Sequence, residues 1–208
     1  MTSPETMALD IMKDERFLKY MSTLKVTSMN HPEENQISYM TDSEIQAVNF
    51  DDLVNAYAKE FHVSPMPASN DALLQVNDVY FFIEFKDGNM QSEIHGVKRK
   101  IFESLLILGD VLGKTISFTR ENVVYVLVYN EVKSARFIES VKENRLEKNE
   151  YIPSKSQFEI MNRIGKLAKI YPDVFGLRSQ FEGLYFKKVY SCNKTDFNDH
   201  FISEYLSQ

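Results

Sequence analysis

The chain reads as an α/β protein, a small mixed β-sheet flanked by helices, and three stretches predict it. Residues 70–86 form two apolar runs joined by Asn77-Asp78, a dipeptide suited to a two-residue hairpin turn because both residues tolerate positive φ. Residues 123–129 are a near-continuous β-branched and aromatic run, the pattern of a strand buried on both faces. Between them, residues 92–112 place Ile94, Val97, Ile101, Leu105, Leu108 and Leu112 on one helical face, with Gly113 positioned to end the helix.

The remaining elements follow in order. Residues 4–24 read as a helix, with Ser3 as cap, Pro4 at its first position and a stripe of Met7, Ile11, Leu18 and Met21. Residues 25–40 hold turn-formers (Asn30, His31-Pro32, Asn35) and read as a loop. A second helix is capped by Asn49 and carries Phe50, Leu53, Val54, Tyr57, Ala58 and Phe61 at helical spacing. Asp51 and Asp52 favour its positive end, and the capping-box spacing of Thr41 and Glu44 allows an earlier start. The link 62–69 carries Pro65 and Pro67 and is no interior strand. Beyond the hairpin, residues 116–118 read as a short strand and 131–148 as a charged helix. Another helix starts at Ser154 or Ser156 and stops before Pro172, 184–192 reads as an edge strand interrupted by Lys187 and Lys188, and 196–206 as a last amphipathic helix.

At 208 residues and 43% hydrophobic content, the chain is expected to bury one core as a single domain over 1–208. That core spans about 45–130, with an N-terminal helical extension over 1–40 and a C-terminal helix-strand-helix addition over 131–208. No apolar run approaches the ~18–20 residues that span a bilayer, so no membrane partner is expected. The first residues lack the basic and apolar regions of a signal peptide, and the single cysteine, Cys192, fits a reducing cytoplasm. A net charge of −6 excludes a polybasic nucleic-acid binder, although basic residues can still concentrate locally.

The hairpin turn fixes a register. Val76 pairs with Val79, Leu74 with Phe81 and Leu73 with Phe82, so Asp71 falls opposite Glu84. Side chains alternate along a strand, which puts Lys86 on the face of Glu84, together with Tyr80 and Phe82. Two directly opposed carboxylates destabilise a sheet by roughly 0.2–1 kcal/mol, and a divalent cation would relieve that repulsion.

Asp71, followed thirteen residues later by Glu84-Phe85-Lys86 on an apolar strand after a hairpin, resembles the PD-(D/E)xK, or restriction-endonuclease-like, nuclease superfamily. The order helix, hairpin, helix, buried strand over residues 49–130 is similar to that core; the flanks are not. The resemblance implies a Mg²⁺-dependent nuclease hydrolysing phosphodiester bonds of DNA, of a prokaryote or its mobile elements. Asp71 and Glu84 would ligate Mg²⁺ (or Mn²⁺), with Glu60 as an additional carboxylate from the preceding helix. Lys86 would orient or deprotonate the attacking water, or neutralise the scissile phosphate. Lys98, Arg99 and Lys100 would contact the nucleic-acid backbone. The chain departs from the pattern in having Asn70 before the first acid. The strand that the family topology expects ahead of Asp71 would fall in the proline-containing link.

Two other readings stay open. One is a non-catalytic interaction protein that keeps the fold and has lost or repurposed the site, with Glu84 and Lys86 on a solvated strand face. The other makes the hairpin a homodimer surface. On composition alone Lys98–Lys100 are an ordinary solvated helix face. His31, His62, His95 and His200 have no metal-binding spacing, and Cys192 reads as a buried structural thiol.

Overall fold

The computed structural model describes residues 10–33, 36–147 and 173–207. A six-stranded mixed sheet runs in the order β1 (Met21–Thr23), β4 (Gln46–Asn49), β5 (Ala72–Val76), β6 (Val79–Lys86), β7 (Val123–Tyr129) and β8 (Lys188–Asn193). The first four are joined antiparallel; β6 to β7 and β7 to β8 are parallel. A separate hairpin pairs β2 (Met29–Glu33) with β3 (Gln36–Tyr39).

Alternation divides the sheet into two apolar layers. On one face Leu73, Tyr80, Phe82, Tyr125 and Leu127 pack under α3 (Phe50–Glu60), α4 (Met90–Leu112) and α6 (Glu131–Glu147). On the other, Leu74, Phe81, Ile83, Phe85, Val126 and Cys192 meet Phe197, Phe201 and Leu206 of a C-terminal π-helix, Phe197–Leu206, which continues a short α-turn at Lys194–Asp196. Burying a large apolar side chain contributes about 1.5–3 kcal/mol, so the two layers supply the principal driving force.

The hairpin has the predicted register: Val76 faces Val79, Leu74 faces Phe81, Leu73 faces Phe82 and Ala72 faces Ile83. Only Asn77 of the turn adopts positive φ (53°). Asn49 caps α3 by accepting from the Asp52 N–H, and α4 ends at Gly113 in the left-handed conformation (φ 61°), both as predicted. All seven residues of β7 are buried, as its composition required.

Elsewhere the sequence reading needs correction. The described part of 4–24 is not one helix; it breaks into α1 (Glu15–Leu18), the edge strand β1 and the start of α2 (Leu24–Thr27). Residues 25–40, read as a loop, contain β2 and β3. The N-terminal 1–40 segment is therefore not purely helical over its described residues. No helix starts early at Thr41, because 46–49 forms a strand. The sheet position beside β5 is filled by β4, which precedes α3, and not by the proline-containing link. Residues 116–118 begin helix α5 (Ile116–Asn122) in place of a strand. The helix predicted to start at Ser154 or Ser156 lies outside the described residues, and α7 (Leu177–Phe181) follows it. No helix among the described residues is long and apolar enough to cross a membrane.

Candidate functional site

The candidate site assembles where β5 begins, β6 ends and α4 crosses above them. Asp71 lies one residue before β5; its carbonyl accepts from the Phe50 N–H at 3.1 Å, tying it to the first turn of α3. Its carboxylate Oδ2 accepts from the Phe85 N–H at 2.6 Å, so the head group continues the β5–β6 ladder after the backbone pairing stops at Ala72. Asn70 is held by its N–H, which donates to Ser104 Oγ on α4 at 2.8 Å, while its side-chain amide is buried without a hydrogen-bond partner among the described residues.

Glu84 shares a face with Tyr80 and Phe82 in the apolar layer beneath α4 and is fully buried. A solvated strand face is thereby ruled out for it. Two ammonium groups reach Glu84 Oε1: Lys100 Nζ at 2.8 Å and Lys86 Nζ at 3.1 Å. These are ion-pair contacts without hydrogen-bond alignment, and Oε2 is buried with no partner among the described residues. Burial, reinforced by the charge of Asp71, raises the Glu84 pKa to about 8 against the pull of the two lysines.

Lys100 Nζ also donates to Asp71 Oδ1 at 3.0 Å, so a single ammonium joins both predicted carboxylates. Burial opposes its charge, but Asp71, Glu84 and Asp51 outweigh that penalty and hold its pKa above the ordinary lysine value. Asp51, in the first turn of α3, accepts a short hydrogen bond from the Ser69 hydroxyl. Burial and then the Asp71 charge raise its pKa. Lys86 bridges outward to Glu93 at 3.5 Å. Asp51, Asp71, Lys86 and Glu93 line one polar cavity of about 250 Å³, whose rim includes Asn30 and Asp87.

The structure thus brings Asp71, Glu84 and Lys86 together. Glu60 is not with them: it closes the far end of α3, where its charge acts on Lys19 and Tyr57. The carboxylate that α3 does bring near is Asp51. The basic triplet divides. Lys100 turns inward, Arg99 pairs along the helix with Glu103 at 2.6 Å, and Lys98 is half-buried, so the three do not form one basic face. Sequence reasoning missed the inward role of Lys100, although its helical phase carried the signal. It lies three residues after Val97 and four before Ser104, both buried on the sheet-facing side of α4.

Among the described residues no three His, Cys, Asp or Glu side chains form a metal-binding group. The donor set nonetheless suits a hard cation. Asp71 Oδ1 and Glu84 Oε1 already converge on one positive centre, and Mg²⁺ characteristically takes one or two carboxylates and keeps several waters. The polar cavity beside Asp71 has room for them. A larger cavity, about 570 Å³, lies between α4 and α5, is lined mainly by apolar groups such as Phe102, Leu106 and Ile116, and has no comparable charged cluster. Cys192 is buried and unpaired on the opposite face of the sheet.

Compared with known protein families, with curated proteins and with solved structures, the chain matches none.

Proposed function

We propose that the chain is a restriction-endonuclease-like, Mg²⁺-dependent nuclease that hydrolyses phosphodiester bonds of DNA. The observation that carries this reading is the convergence of Asp71 Oδ1 and the buried Glu84 Oε1 on one ammonium, with Lys86 beside Glu84 and with Asp71 and Lys86 lining a polar cavity. The order of the sheet supports it as well. An antiparallel hairpin carries the acids at the start of β5 and on β6, and α4 and α5 then lead into a parallel, fully buried strand.

In this reading Asp71 and Glu84 would hold Mg²⁺ (or Mn²⁺), which would supply Lewis-acid stabilisation of the phosphate and activation of a water. The remaining work falls to the chain. Lys86, restrained by Glu84 and Glu93, presents its ammonium to the cavity and neutralises charge on the scissile phosphate. The Phe85 N–H fixes the rotation of the Asp71 carboxylate, and Asp51, which accepts from the Ser69 hydroxyl, lines the cavity from α3.

A second reading rests on Lys100. With Lys86 on Glu84, its ammonium already balances the charge of the two carboxyl groups, as in a nuclease-like interaction protein that has lost catalysis. Incubation with single- and double-stranded DNA and Mg²⁺ or Mn²⁺ distinguishes them. The nuclease reading expects cleavage that a chelator abolishes and that Glu84→Ala and Lys86→Ala reduce about a hundredfold or more. Cleavage undiminished in Glu84→Ala would remove the site assignment. No cleavage, with no Mg²⁺ or Mn²⁺ binding by calorimetry in the wild type, favours the non-catalytic reading.

A further inference from the structure

Asp71, one residue before β5, and Glu84 on β6 hold their carboxyl groups close together, and once both are ionised they repel. They stay together because Lys100 Nζ, reaching down from α4, lies 3.0 Å from Asp71 Oδ1 and 2.8 Å from Glu84 Oε1. Lys86 does not bridge the two acids: among the described residues it pairs with Glu84 and Glu93. Glu84 Oε2 meanwhile is fully buried and lacks a hydrogen-bond partner among the described residues, which leaves ligand capacity unused next to the ammonium.

A magnesium ion needs its oxygens at about 2.0–2.1 Å. An ammonium in contact with the same two oxygens cannot remain there when such an ion enters, because both would occupy one position and repel. We propose that Lys100 is the resident cation of this site: it holds Asp71 and Glu84 converged, and a divalent ion binds them only by displacing its ammonium. Lys100 is on this view a positioning residue and a competitor, with the resting site neutralised from within the chain. The proposal rests on reading Asp71 and Glu84 as cation ligands, but it does not require that DNA is cleaved.

It predicts an effect opposite to that of an ordinary structural lysine. Removing the ammonium while keeping the aliphatic stem should strengthen metal binding. Mn²⁺ binding to the full chain is measured by calorimetry and by the spin-resonance signal of free Mn²⁺, for wild type, Lys100→Met and Lys86→Met. Lys100→Met should bind Mn²⁺ at least about tenfold more tightly than wild type, and Mn²⁺ should raise its melting temperature more than that of wild type. Lys86→Met should tighten binding less than Lys100→Met does. Binding by Lys100→Met that is absent, equal to or weaker than wild type overturns the proposal. Tighter binding in Lys100→Met, with DNA intact in every variant, upholds it while removing the nuclease reading. Unchanged affinity in Lys100→Met, with wild-type cleavage intact, does the reverse. Should Lys100→Met not fold, the wild type decides. The side-chain NMR resonances of Lys100 must move as Mg²⁺ is titrated, and fixed resonances, with or without binding elsewhere, overturn the proposal.

Discussion

Glu84→Gln tests the electrostatics of the site through its pH dependence. Glu84 titrates at about 8 in the fold against an ordinary value of 4.5, because burial outweighs the attraction of Lys100 and Lys86. Between those values the folded chain keeps a proton that the unfolded chain has released. This group's stabilisation is therefore fully present below about pH 4.5 and is lost as pH rises through about 8. At about 1.36 kcal/mol per unit the whole swing approaches 5 kcal/mol. Glutamine has no such proton, so subtracting the variant's stability from that of wild type reports this titration together with its coupling to Asp71 and Lys100. Urea unfolding in chelator, at a series of pH values, is the assay. The glutamine variant should gain on wild type by about 4 kcal/mol from pH 5 to about pH 9, then hold level. A difference that does not change with pH, or one that changes in wild type's favour as pH rises, would refute the reasoning. Either result would mean that the two lysines outweigh burial and that Glu84 is ionised throughout.

Three further outcomes are expected. Phe82→Ala removes a fully buried ring packed edge-on to Phe50 at 4.8 Å and should cost about 3–5 kcal/mol in urea unfolding. Gly113→Ala should cost about 1 kcal/mol. An added Cβ there meets no atom within 4 Å, so the loss comes from the positive φ alone, and Gly113→Asn should recover part of it. Asp87 accepts from Asn30, Asn130 and Lys133, fastening β2 to the end of the central strands. Asp87→Ala should cost about 1–3 kcal/mol and speed amide hydrogen exchange at Asn30, whereas unchanged exchange would show that the β2–β3 hairpin is held by other contacts.

The hairpin was legible because everything that specifies it is local. A two-residue turn and alternating side chains determine every pairing from Ala72–Ile83 to Val76–Val79. The capped ends of α3 and α4 were legible for the same reason. The short strands β1 and β4 were not. They hold three and four residues, too few to show a period, and they exist through pairing with each other and with β5. Residues 116–118 have β-branched and aromatic content, yet continue into a helix whose Thr119 hydroxyl bonds to the carbonyls of Ile116 and Tyr185. At the site, Asp71, Glu84 and Lys86 could be read because one hairpin carries all three. Lys100 is brought in by the packing of α4 onto the sheet, and only its helical phase hinted at that. Asp51 needed the connection from α3 to the start of β5, through a link that sequence pattern does not orient.

The two-residue turn at Asn77-Asp78 also decides where this chain can change length. Adding or deleting one residue between Ala72 and Ile83 would slide one strand past the other, and every side chain beyond the change would exchange layers. Glu84 would then point among Phe197 and Phe201 and away from Lys100, and Phe85 would arrive where the charges are. The link over 62–69 has no such coupling, since it joins a helix to the start of β5 and pairs with no strand. Length variation among descendants of this sequence should accumulate on either side of the hairpin and spare its interior.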